Sequence, residues 1–165
     1  MADTPVFSDG ETAIWNFRAE DCGQWRNRQL FEYWREKAAG RRFPARRDLD
    51  PLDMVYVLPF LSLVDVLRNP LRFRGRLIGT SIVEKSGFDL TGKWLDELPI
   101  PEYRELLLRR VHSIVEASAP LLVRNKQFFG GQWYNYEVIW LPLADDGEEI
   151  TMLMSCQIFL RLGDG

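Results

Sequence analysis

Acid–base or nucleophilic chemistry in this chain of 165 residues would have to be built from a sparse set of groups. There is one histidine, His112, and there are two cysteines, Cys22 and Cys156. The cysteines lie too far apart to read as a metal-ligand or redox pair. No HExxH, P-loop or GxSxG spacing occurs, so the usual motifs for metal hydrolysis, phosphate binding and serine catalysis are missing. A general base needs an acid or an orienting group beside it. The carboxylate to watch is Glu137, in a strand-like run between aromatic residues. Its simpler reading is an ion pair with a strand arginine. A small α+β isomerase or hydrolase that uses it is the alternative.

Arg72, Arg74 and Arg76 alternate with Phe73, Gly75 and Leu77. Guanidinium forks bind carboxylate and phosphate bidentately, but this alternation usually marks the wet side of a strand, and that is the expectation here. Arg76 is the best candidate among them for an inward or partner-facing role. Arg46, Asp48 and Asp50 could form a charged site. A capping Asp50, worth about 1 kcal/mol, explains the group more simply, with Arg46 tethering the loop to a nearby carboxylate. Met152, Met154, Cys156 and Ile158 share one face of the last strand, and such sulfur-rich faces pack adaptably. If Phe73 and Leu77 face the same way, they complete a wall for a small apolar ligand. The pocket candidates are therefore Phe73, Leu77, Arg76, Met152, Met154 and Glu137; no residue is expected to be catalytic and no metal site is expected.

These side chains need elements to hold them. Asp21 and Gln24 suggest a capping box opening an amphipathic helix over 22–39, with Leu30, Tyr33, Trp34 and Ala38 at helical spacing and Gly40 ending it. Residues 1–20 lack periodicity and read as a mobile arm, with Ile14, Trp15 and Phe17 able to dock. Asp50-Pro51 starts a short helix that must finish by Pro59. Phe60–Leu67 reads as a buried strand and Leu71–Ile78 as a half-exposed one, joined by an Asn69-Pro70 turn into a hairpin. Ser81 and Glu84 make a second capping box for a helix ending at Gly87, and Leu90–Leu98 is a turn or short helix. Pro101 opens the longest helix, to Ser118, with Leu107, Val111, Ile114 and Val115 on one stripe. Strands over Leu121–Phe128, Gln132–Leu143 and Glu149–Leu160, joined by Gly130-Gly131 and Asp145-Asp146-Gly147, close the chain. Short connections favour antiparallel neighbours. The crossover helices must cover a face of the sheet, because a sheet bare on both faces buries no core. Residues 21–165 are read as one domain.

Net charge −3 and a pI near 5.3 argue against nucleic-acid binding. The basic run from Arg41 to Arg47 is short and reads as a solvated connection between helices. No apolar stretch reaches the ~18–20 residues a membrane span needs, and the N-terminus lacks the features of a secretory signal. A reduced, cytoplasmic setting is the simplest reading.

Several segments in this order resemble a small bacterial PAS-like family. Pro44–Pro51 (PARRDLDP) is similar to its P-x-R-x-D-x-D-P signature, and Phe73–Thr80 (FRGRLIGT) to its F-R-Y-R-L-x-G-T strand. Gly87–Lys93 (GFDLTGK) is similar to its G-x-D-x-T-G-K turn. Tyr136-Glu137 with Leu141-Pro142-Leu143 and Asp145-Asp146-Gly147 resembles its penultimate strand and hairpin. The resemblance runs from about Leu30 to Leu160. Gly75 departs from it, standing where the family often has an aromatic; a larger pocket or a bulge is the expected consequence. The resemblance implies an α+β fold, a five-stranded antiparallel sheet with helices over one face, to which an N-terminal helix is added. It also implies a role in signalling or protein interaction, so the chain is read as a non-catalytic sensory or regulatory module that meets a partner protein or, through the helix and aromatics of the Trp15–Trp34 region, a second copy as a homodimer. In some haem-binding PAS domains the axial histidine lies on the helix that here carries His112. A lone histidine carries no ligand spacing, so a surface histidine is expected. No flavin-binding cysteine motif occurs. No cofactor is expected, only a small apolar ligand.

Overall fold

The computed structural model describes residues 6–7, 10–129 and 131–161. Its backbone is one antiparallel sheet with helices on both faces. Strand β1 is Val6–Phe7, β2 Thr12–Trp15, β3 Leu61–Leu67, β4 Arg72–Ile78, β5 Leu121–Phe129, β6 Gln132–Leu143 and β7 Met152–Arg161. The helices are α1 (Trp25–Ala38), α2 (Thr80–Ser86) and α3 (Pro101–Ala117), with 3-10 turns between them, among them Pro51–Met54 and Leu58–Phe60. The sheet order β5-β6-β7-β3-β4 is antiparallel throughout. Residues 12–15, expected in a mobile arm, are instead strand: β2 pairs with β5, Ala13 opposite Val123 and Trp15 opposite Leu121. Four residues alternate too briefly to announce themselves as a strand, yet they supply hydrogen bonds to an edge that would otherwise stay open. The opposite edge, β4, is closed by bridges from Thr91 to Gly75 and from Trp94 to Arg74.

Period-two alternation sorts the core. On one face stand Val64, Leu153, Val138 and Trp140, beneath the crossover formed by α2 and α3, whose Ile82, Val111 and Ile114 are buried. On the other stand Leu63, Met154, Cys156, Ile139 and Leu141. Helix α1 covers that second face with Leu30, Phe31 and Trp34, and the Trp34 Nε1–H donates to Pro142 O at 2.8 Å. All these side chains except Ile82 belong to one continuous apolar cluster.

Gly75 is explained by close approach rather than by pocket volume. Its N–H donates to Lys93 O at 2.9 Å and its carbonyl accepts from Gly92 N–H at 2.7 Å. A Cβ at position 75 would lie 2.7 Å from the carbonyl carbon of Leu90 and closer still to its oxygen. The β3–β4 register shifts beside it, between Leu63 and Val64, where Leu63 pairs with Leu77 and Val64 with Gly75. Arg76 is the extra residue of this bulge, which turns the strand over.

Candidate functional site

Glu137 is buried at the centre of β6 on the α1 face, 4% exposed. Its Oε2 accepts from Gly23 N–H at 2.8 Å and from Arg124 Nε–H at 2.9 Å. Its Oε1 accepts from Gln24 N–H and from Asn27 Nδ2–H, both at 3.1 Å. The same Arg124 guanidinium also donates to Asp21 O. The carboxylate therefore sits on the backbone N–H groups leading into α1, where the helix dipole favours negative charge. Cap and ion pair are one structure. The expected Asp21–Gln24 capping box is not what starts α1: the Asp21 carboxylate accepts from Arg18 N–H at 2.8 Å, and the Gln24 side chain makes no cap bond. A carboxylate occupied by four donors has no lone pair aimed at a substrate. The sequence shows Glu137 between aromatics; it does not show donors that lie 110 or more residues away.

The remaining pocket candidates do not share a wall. Phe73 pairs with Val66 and faces α3, its ring edge-on to His112 at 5.0 Å between centroids. Met152 and Met154 pair with Asp65 and Leu63 and face the α1 side. The bulge places Leu77 opposite Leu63, on the Met154 face and away from Phe73, and leaves it 45% exposed. Arg76 does not point inward: its side chain is 64% exposed, 3.9 Å from Asp65. Arg72 is held by Asp96 through two hydrogen bonds of 2.7 and 2.8 Å and stacks over Trp94 at 3.9 Å. Arg46 donates to a carbonyl, Leu49 O, rather than to a carboxylate. Asp50 accepts from Leu52 N–H as a helix cap should. Asp48, with Ala45 N–H and Arg41 on its carboxylate, titrates below the ordinary aspartate range. His112 is exposed on α3.

Between the sheet and the crossover helices lie two adjoining spaces of about 50 and 40 Å³. Trp140, Tyr103 and Leu107 line both, Tyr136 and Gln157 the first, and Ser62 and Val64 the second. Burial pushes the Tyr103 and Tyr136 phenols above the ordinary tyrosine value. Both spaces are small beside the ~300–1,000 Å³ of ordinary ligand pockets. On the other face, burial pushes the Cys22 thiol up to about 12, and it raises Cys156 as well. Both thiols are free and packed away from solvent. Among the described residues no group of three or more His, Cys, Asp or Glu is arranged to hold a metal ion.

The largest exposed apolar side chains gather at one corner. Leu52 is 81% exposed, Val55 60% and Trp25 52%. Leu52, Val55 and Leu58 recur every third residue through consecutive 3-10 turns, and side chains three apart eclipse in that conformation. Beside them the Trp25 ring stacks on Tyr56 at 5.9 Å. The Arg26 guanidinium lies 4.5 Å from the Trp25 ring centre and 5.4 Å from that of Phe60, while its Nε–H donates to Tyr56 O. In sequence this row falls in the short helix expected between Asp50-Pro51 and Pro59.

Sheet order, antiparallel pairing and the α2–α3 crossover together define a PAS fold, a five-stranded antiparallel sheet roofed on one side, here extended by β1 and β2 at its β5 edge and backed by α1. The PAS domain family matches residues 24–157, and the chain belongs to it. No curated protein matches the chain. Among the described residues no helix is long and apolar enough to cross a membrane.

Proposed function

We propose that the chain is a non-catalytic sensory or regulatory module that acts by docking to a protein through the Trp25 corner, with a second copy of itself as the occupant. The observation that carries this reading is the exposed row Leu52, Val55 and Leu58 beside Trp25, Arg26 and Tyr56. Trp, Tyr and Arg at the centre of an apolar patch form the composition of an interface hot spot. The corner carries both signs of charge: Arg26 on one side and, within electrostatic reach of Tyr56, Asp53 and Glu32 on the other. A two-fold axis through such a patch brings opposite charges together. Within the Trp15–Trp34 region whose helix and aromatics suit dimerisation, Trp34 is buried and bonded to the sheet, whereas Trp25 is 52% exposed.

Membership of the PAS domain family supports the sensory or regulatory class. The four donors on Glu137 support a structural carboxylate rather than a catalytic one. The proposed module takes neither haem nor flavin: support comes from the exposed position of His112 and from interior spaces of about 50 and 40 Å³. A small apolar molecule against Trp140 is the one internal ligand the reading admits, and the setting is cytoplasmic. Sedimentation equilibrium of the wild type and of Trp25→Ala/Leu52→Ser tests the docking corner. A wild-type dimer that the double variant renders monomeric is expected. A monomeric wild type, or a dimer the variant leaves intact, overturns it.

A further inference from the structure

A second surface, at the opposite end of α1, has the reverse character. The second half of α1, the loop after it, residues 16–18 beyond β2 and the α3–β5 turn enclose an open cleft of about 550 Å³. Four cations line it, Arg18, Arg35, Arg41 and Arg42, and among the described residues no carboxylate does. In a chain of net charge −3 this is a local reversal of sign. The basic run that sequence alone consigns to a solvated connection supplies half of it.

The guanidiniums are not equivalent. Arg41 is spent on the fold: it donates to Ala38 O and Lys37 O at the end of α1 and pairs with Asp48 at 2.7 Å. Arg18 is paired with Glu20 and Asp21. Arg35 and Arg42 have no carboxylate within 4.0 Å among the described residues. Each lies over an aromatic ring, Arg35 at 5.8 Å from Phe31 and Arg42 at 5.3 Å from Phe43. Arg42 also donates to Ser118 O at 3.2 Å. Stacking and that hydrogen bond orient the forks before any ligand arrives, which lowers the ordering cost of binding.

We propose that this cleft binds an acidic segment of a protein partner, with carboxylates on Arg35 and Arg42. Carboxylates match the guanidinium fork bidentately. The cleft is too large for one small anion to span, and its cations come from separate segments, so several residues of a chain are needed to meet them. A nucleic acid fits less well. Phe31, Trp34 and Phe43 are only 2–6% exposed, and Arg35 and Arg42 lie over two of the rings, so no open aromatic face is left on which bases could stack.

The test uses the full chain and a fluorescein-labelled peptide of alternating Asp, Glu and Leu, read by fluorescence anisotropy at low salt. Binding is expected to weaken as salt rises. It is expected to fall at least about tenfold when the acids are replaced by Asn and Gln, and by as much in Arg35→Glu/Arg42→Glu at an unchanged melting temperature. Trp25→Ala is expected to leave it unchanged, which separates this cleft from the docking corner proposed above. No measurable binding, equal binding of the neutral peptide, or equal binding by the charge-reversed variant overturns the proposal. So does a short single-stranded oligonucleotide that binds through Arg35 and Arg42 more tightly than the acidic peptide.

Discussion

Replacing Glu137 by glutamine keeps the shape of the side chain and removes its charge. The carboxylate accepts from Gly23 N–H, Gln24 N–H, the Asn27 amide and the Arg124 guanidinium, at 2.8 to 3.1 Å. An amide has one acceptor oxygen, so at best two of these donors keep a partner and the other two face an NH₂ group. A hydrogen bond to a charged group contributes about 1.5–3 kcal/mol net, and a buried donor left alone costs about 1–3 kcal/mol. Two corrections lower the total. Asn27 keeps its longer bond to Glu137 O at 3.4 Å, and the Arg124 side chain, 39% exposed, turns to water. The net loss expected for Glu137→Gln is about 3 kcal/mol, or roughly 6–12 °C in melting temperature for a domain of this size. The loss is concentrated at the start of α1. Hydrogen exchange should therefore show faster exchange from Asn27 to Leu30, while the β6–β7 amides stay protected. A melting temperature within about 2 °C of wild type, with α1 exchange unchanged, would refute the idea that this carboxylate fastens the helix to the sheet.

Gly75→Ala drives a Cβ into the Leu90 carbonyl and is expected to cost about 2 kcal/mol or more, seen as a lower urea midpoint at constant m-value. A stability equal to wild type would show that the 90–93 turn moves aside freely. Cys22 and Cys156 are buried with raised thiol pKa values, so a disulfide reagent at pH 8 should react slowly with folded protein and rapidly with both thiols in denaturant. Rapid native reaction would contradict that burial. The raised tyrosines set an alkaline limit. Tyr103 and Tyr136 stay protonated in the fold while their unfolded counterparts lose a proton near pH 10, so stability is fully present below that value and falls as pH rises beyond it. The thiols begin the same loss near pH 9. A urea midpoint constant from pH 8 to 11 would refute this.

Sheet order and the crossover were legible because they rest on local signals: period-two runs, a helical stripe from Leu107 to Val115, and Gly or Asp turns between strands. What stayed hidden depends on partners distant in sequence. The α1 cap looked local, as Asp21 and Gln24, and is supplied by a strand more than a hundred residues on. Leu77 alternates correctly with Phe73 on paper and lands on the other face, because the turn pressed against Gly75 forces a bulge at Arg76. Leu52, Val55 and Leu58 fall in the short helix expected before Pro59, and hydrophobicity alone does not say which way a 3-10 turn presents its row. Thr12–Trp15 gained its strand from the exposed edge of β5 more than from its own composition.

The two faces of the sheet are joined mechanically through β6. Tyr136, Val138 and Trp140 line the spaces beneath α3, while Glu137 and the Pro142 carbonyl hold the beginning and the middle of α1. Glu137 stands between Tyr136 and Val138, and Pro142 lies two residues beyond Trp140, so neighbouring stretches of one strand carry the wall of the interior and the fastenings of the outer helix. Close-packed interiors leave little slack between such units, so Trp140→Ala is expected to speed amide exchange in α1 as well as beneath α3; unchanged α1 exchange would show that the two faces are independent. Helix α1 in turn carries Trp25 and Arg26 at its start and Arg35 near its end. Both proposed docking surfaces therefore draw residues from the one helix that β6 fastens.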